Sequence, residues 1–322
     1  MHYSHNRESI SRPAKQPRSW LCAVFLTLAP LLLLGSQPVL AKSAEDFLVL
    51  DQLVERSDGG ASHVRVYAKK NVGRNGEYVV MLPSLGRGVE DFTEEFGSNL
   101  TTRLAQAGYR VVLIQPRGIG LSTGTITPGM VTLHTLVDDV KQVLDTLGIT
   151  QAHFVGHAFG NRVARSFATI YPDDVLDVTL LAAGGQQPLS DAQRNILFAI
   201  FLTPDDATRL GFIEIGFFAP GRDASVWLYG WNTPAALSQG FAAENPDIDF
   251  IEAGGKPILL IQPADDFIAP PEDAGRLLAA QLGDQVTYVE LARTGHALLP
   301  ERPNTVAARM IAYFAASKSR GY

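Results

Sequence analysis

The sequence predicts an α/β fold, a doubly wound and mostly parallel sheet with an inserted, mainly helical cap. Three observations lead there: short apolar runs rich in β-branched residues, longer segments of helical period alternating with them, and one aromatic-rich stretch that breaks the alternation.

The first element is "FLVLDQLVERSDGGASHVRVYAKK", residues 47–70, which reads as two antiparallel strands turning at Asp58-Gly59-Gly60. "EYVVML", "YRVVLIQ", "AHFVG", "VTLLAAG" and "PILLIQP" follow, and unbroken apolar runs of this length are what strands covered on both faces require. Between them "FTEEFGSNLTTRLAQAG", "TLHTLVDDVKQVLDTLG" and "GNRVARSFATIY" place apolar residues three and four apart, so each predicts a helix. Strand, helix, strand in this rhythm implies right-handed crossovers. From about Gln186 to Gly255 the chain is crowded with Phe, Trp and Tyr. That stretch reads either as a second buried core or as a cap over an apolar pocket, and the two overlap because a cap needs its own packing. The organisation expected is therefore a leader at 1–41, a core at 42–185 and 256–322, and a cap at 186–255.

The leader is read from order. Arg7, Arg12, Lys15 and Arg18 stand against Glu8, then comes "WLCAVFLTLAPLLLLG", then small residues at Val39 and Ala41. The apolar run is shorter than the roughly 20 residues a membrane span needs. A cleaved signal peptide and a periplasmic or secreted product are expected, with no stable membrane span after leader removal. Taking a leader of net +3 from a chain of −6 leaves −9, which argues against nucleic acid and anionic membranes as partners. The single cysteine, Cys22, lies in the leader, so no disulfide is expected in the product. No Cys/His spacing suggests a metal and no glycine-rich loop has the spacing of a phosphate site, so neither metal nor cofactor is expected.

Three local patterns occur in a telling order: "PRGIGLSTG", then "GHAFG", then "QPADDFIAP" followed by "TGHALLPERP". With these, residues 45–318 resemble the α/β-hydrolase fold family, which carries its nucleophile, acid and histidine in that order. The resemblance implies a nucleophile elbow at Gly156, His157 and Gly160, whose glycines avoid collisions at a very sharp turn. Its central position is Ala158, where the family has a nucleophile. It implies an oxyanion hole from the N–H groups of Phe159 and Leu85, although the loop "PSLGRG" lacks the His-Gly the family more often has at Pro83-Ser84. It implies His296 as general base and Asp266 as the acid that orients it, with the adjoining Asp265 the alternative. Ser84, Trp227 and Trp231 are candidate pocket residues. His157 is expected to pack beside the sheet, Arg117 to brace a loop by ion pairing, and His63, His134 and His153 receive no role.

Three readings of Ala158 stay open. It is an engineered replacement of a serine, or the chain works through the His296–Asp266 dyad without a covalent step, or it is a ligand-binding pseudoenzyme. A base held by a carboxylate can still remove a proton, and oxyanion stabilisation and binding alone retain about 10³ to 10⁴ of acceleration. The expected partner is a small, mostly apolar organic molecule, ester- or lactone-like. The leader reading predicts that the exported protein begins at Lys42; intact mass measures this, and an exported product that still begins at Met1 contradicts it.

Overall fold

The computed structural model describes residues 39–40, 47–70, 76–184 and 186–319. The expected leader otherwise lies outside the described residues; within it only the pair Val39–Leu40 is described, as a short edge strand β1. Strands β2 (Phe47–Glu55) and β3 (Ala61–Lys69) form the antiparallel hairpin, closed where the Arg56 N–H donates to the Gly60 carbonyl at 2.8 Å. Strands β4 (Tyr78–Leu82), β5 (Arg110–Ile114), β6 (Ala152–His157), β7 (Val175–Leu181), β8 (Ile258–Pro263) and β9 (Val286–Leu291) run parallel to one another. Their order across the sheet is β1-β2-β3-β5-β4-β6-β7-β8-β9. The swap of β4 and β5 puts the ends of β4 and β6 side by side, with Leu82 paired to Gly156. That pairing sets the loop leaving β4 beside the turn that follows β6.

The apolar runs are unbroken because both faces are covered. Val80, Val112, Phe154, Val178 and Leu260 point to one layer, packed by helices α2 (Leu133–Leu147) and α3 (Gly160–Ile170). Their neighbours Val79, Met81, Val111, Val155 and Leu259 point to the other, packed by α1 (Leu100–Gln106) and the C-terminal helix at Pro303–Ser319. A period of two within a run thus feeds two cores.

One expected helix is shorter than its pattern. Residues 92–108 hold the last residue of one 3₁₀ turn (Val89–Phe92), a second 3₁₀ turn (Glu94–Phe96) and then α1, because Thr93 is extended and Gly97 turns left-handed at φ +78°. Between β7 and β8 the chain inserts α4 (Asp191–Leu202), α5 (Asp206–Phe217) and α6 (Thr233–Glu244). Each starts on a side chain that accepts a backbone N–H, from Ser190, Asp205 and Asn232 respectively, which is why three short helices form without a strongly amphipathic pattern. Their aromatic residues make a third apolar cluster around Trp227, Phe217 and Phe218, and that cluster includes Ala297, the neighbour of His296.

Arg117 braces its loop: it pairs with buried Asp139 of α2 and donates to the Thr125 carbonyl. Arg56 of the hairpin turn joins the same carboxylate at 3.0 Å. One acid therefore ties the hairpin, the loop after β5 and α2 together.

Candidate active site

The elbow begins where β6 ends. A side-chain carbon placed on Gly156 would lie 2.4 Å from the Gly160 backbone, and one on Gly160 would lie 2.1 Å from the Leu82 carbonyl oxygen. Neither distance is physically possible, so both positions require glycine. The turn is completed by Ala158 at φ +47°, a conformation that costs a non-glycine residue about 1 to 3 kcal/mol. The Ala158 N–H donates to the Leu181 carbonyl at 3.0 Å and its carbonyl accepts from Asn161, which holds the turn from both sides. Phe159 then opens α3.

Asp266 and His296 arrive from the loops after β8 and β9. The His296 Nδ1 lies 2.9 Å from Asp266 Oδ2 and 3.0 Å from Oδ1, and both residues are only 3% exposed. Asp266 is itself fixed, since Oδ1 also accepts from the Ala269 N–H at 2.8 Å. With Nδ1–H donated to the carboxylate, Nε2 carries the lone pair, and it has no protein partner among the described residues. Asp265 is exposed and does not meet the ring. His157 lies beneath: its Nε2–H donates to the His296 carbonyl at 3.2 Å, and the two rings are 5.5 Å apart. Elbow and histidine loop are therefore in direct contact.

Among the described residues, the N–H groups of Phe159 and Leu85 have no protein acceptor. Leu85 sits in a turn whose Ser84 carbonyl accepts from the Arg87 N–H at 3.1 Å. The next N–H, of Gly86, is taken by Oε1 of Gln239 on α6 at 2.7 Å. Ser84 is buried on this loop, away from the elbow in sequence.

Arg87 and Asp91 received no role from the sequence. Arg87 is fully buried, bonded to Asp91 through Nε at 3.0 Å and Nη2 at 2.5 Å, and to the Tyr229 carbonyl through Nη1 at 2.7 Å. Its guanidinium lies 4.4 to 4.8 Å from the ring centres of Trp231, Trp227 and Phe96. Burial pushes the Asp91 carboxyl up and the Arg87 charge opposes this. The spacing Arg-x-x-x-Asp was the available signal; nothing in the sequence pointed to Gln239.

Trp227 and Trp231 are packed among themselves. Trp227 is fully buried, 5.9 Å from the His157 ring and 6.0 Å from Phe217, while Phe217 stands edge-on to His296 at 5.3 Å. Trp231 donates its Nε1–H to the Trp227 carbonyl. The inserted segment therefore packs against the His296 ring through Phe217. No group of three or more His, Cys, Asp or Glu residues that could hold a metal occurs among the described residues, and none of their helices is long and apolar enough to cross a membrane.

Residues 77–211 match the family model for the α/β hydrolase fold. A 2-hydroxy-6-oxononadienedioate/2-hydroxy-6-oxononatrienedioate hydrolase of Klebsiella pneumoniae is 30% identical over 249 residues, covering 71% of this chain and 84% of that protein. The chain belongs to the α/β hydrolase fold family. The protein of the same name from Paraburkholderia phymatum is 35% identical over 130 residues, 40% of this chain, and there the chain spans under half of the relative's length, 43%. A solved hydrolase structure from Pseudomonas aeruginosa PA01 superposes with a TM-score of 0.66 at 21% identity, over 82% of this chain and 98% of that one. At that identity the likeness speaks for the fold alone.

Burial, and then the nearby His296, hold the His157 imidazole far below the ordinary range, at about 3. In the unfolded chain it takes up a proton near 6.5. This contribution to stability is therefore complete above about pH 6.5 and is lost progressively as pH falls toward 3. Urea denaturation of His157→Gln beside the unmodified chain checks this: the difference in slope between pH 6.5 and 4.5 should approach one proton, about 1.4 kcal/mol per pH unit. Equal slopes contradict a buried neutral His157.

Proposed function

We propose that this chain hydrolyses a small, mostly apolar ester or lactone through the His296–Asp266 dyad and the oxyanion donors, with no covalent step at position 158. The observation that carries the reading is the dyad itself: a buried imidazole bonded to a fixed carboxylate at 2.9 Å, with Nε2 left unbonded at the loop that touches the elbow. Nε2 takes a proton from water, and the water oxygen adds to the substrate carbonyl. The negative oxygen that forms is held by the N–H groups of Phe159 and Leu85. Asp266 stabilises the imidazolium, which then returns its proton to the departing alkoxide, giving acid and alcohol. Hydrolysis by the named relatives is consistent with this reading. The leader pattern assigns the activity to the periplasm or the exterior.

A second reading, a ligand-binding protein without turnover, has its own observation: His296 is 3% exposed and is covered by Phe217 and the Trp227 cluster.

Two substitutions separate the readings. Ala158→Ser places a hydroxyl at the elbow and should raise hydrolysis of short activated esters by about 10² or more, with a burst from an acyl-enzyme. His296→Ala should abolish the turnover of both the unmodified chain and the serine variant. Turnover by the unmodified chain that survives His296→Ala contradicts the dyad. No turnover in the unmodified chain across a panel of short esters and lactones favours the binding protein.

A further inference from the structure

The loop that leaves β4 is held by the core at its two ends and by the inserted segment in its middle. Leu82 pairs with Gly156 at one end, and at the other the Val89 N–H donates to Oε1 of Gln115, just past β5, at 2.8 Å. Between them both backbone groups of Gly86 turn to α6. The Gly86 N–H donates to Oε1 of Gln239 at 2.7 Å, and the Gly86 carbonyl accepts from the N–H of Asn232, the N-cap of the same helix, at 2.8 Å. The approach leaves no room for a side chain: Gly86 stands at φ +63°, and a carbon placed on it would lie 2.7 Å from Cβ of Ala236, also on α6. Gly86 and Gln239 are both buried, so this bond is made away from solvent.

Leu85 stands in the same turn, closed by the bond from the Arg87 N–H to the Ser84 carbonyl. The Gly86 N–H belongs to the peptide unit that begins at the Leu85 carbonyl, and a peptide unit is planar, so holding that N–H holds the backbone on the C-terminal side of Leu85. We infer that Gln239 is a positioning residue, which from the inserted helix sets the direction of the Leu85 N–H. The inference rests on the hydrolytic reading above, in which that N–H receives the negative oxygen, and adds the control of this donor by α6. Without the Gln239 oxygen a buried N–H is left with no acceptor, and the turn must rotate to find one. A group displaced by about 1 Å is enough to lower a rate by about 10².

The test compares Gln239→Met, which keeps the length of the side chain and loses its carbonyl oxygen, with Gln239→Glu, which keeps a strong acceptor. Both are made in the Ala158→Ser background and assayed on p-nitrophenyl acetate. Gln239→Met should lower kcat by about 10-fold to 10²-fold and leave KM within about twofold, because forming and breaking the acyl-enzyme pass through the same oxyanion. Gln239→Glu should restore most of that loss. An unchanged kcat in Gln239→Met, a rise in KM alone, or equal losses in both variants overturns the inference, since a side chain that only packs behaves in that way. A second measurement needs no turnover: the residual dipolar coupling of the Leu85 N–H, which reports its direction, in the chain with alanine at position 158. It should change in Gln239→Met and hold in Gln239→Glu, while the couplings of β6 and β7 hold in both. That pattern beside an inactive serine variant would uphold the positioning role and overturn the hydrolytic reading. A Leu85 coupling that does not change in Gln239→Met, or couplings that change throughout the sheet as well, overturns the positioning role.

Discussion

The close approach of α3 to the end of β4 governs the site. A carbon atom on Gly160 would stand 2.1 Å from the Leu82 carbonyl oxygen, so the first turn of the helix lies against the neighbouring strand with no space between them. From that contact the other features follow. The chain must reverse within two residues, which drives Ala158 to φ +47° and leaves the Phe159 N–H outside the helical ladder. Because β4 and β6 are neighbours in register, the loop leaving Leu82 starts beside the turn that follows Gly156. The histidine loop is then fixed to the elbow by His157, which stays neutral because it is buried and lies near His296.

The cap is joined to this frame by polar contacts rather than by apolar packing alone. Arg87 leaves the oxyanion loop, satisfies its charge on Asp91, and lies among Phe96, Trp227 and Trp231. Such cation–aromatic contacts are worth about 0.5 to 2 kcal/mol each, more when water is excluded. Glu301 adds a second tie, accepting the Ala219 N–H of the cap at 2.7 Å and the Gly295 N–H beside His296 at 3.2 Å. Burial holds the Glu301 carboxyl above its usual range while these N–H groups and nearby arginines oppose the shift. The inserted helices, the loop after β4 and the histidine loop form one supported unit.

Patterns that act locally were legible in the sequence. The hairpin showed as a glycine turn between two strands, the parallel strands as apolar runs covered on both faces, and the elbow as two glycines around a strand-to-helix turn. The structure brings Asp266 to His296 and leaves the adjoining Asp265 exposed, a distinction that depends on which carboxylate the Ala269 N–H captures. What the sequence withheld depends on contacts between distant segments. Arg87 and Asp91 received no role from the sequence, since their burial involves the distant Tyr229, Trp227 and Trp231. Trp227 and Trp231 had the composition of a pocket lining, but aromatic rings that find each other at 5.9 Å pack as a core. The 92–108 segment had helical spacing that Gly97 interrupts with a left-handed turn.

The proposed site keeps an activating base in His296, held by Asp266, and uses water where a serine hydrolase uses a side chain at position 158. Labelling with diisopropyl fluorophosphate tests that base most directly, because that reagent phosphorylates a serine only when a neighbouring base activates it. In the Ala158→Ser variant, peptide mass spectrometry should find one adduct, on the introduced side chain at position 158, and none when His296→Ala is added. A folded serine variant that takes no label, or takes it at Ser84 instead, would contradict the claim.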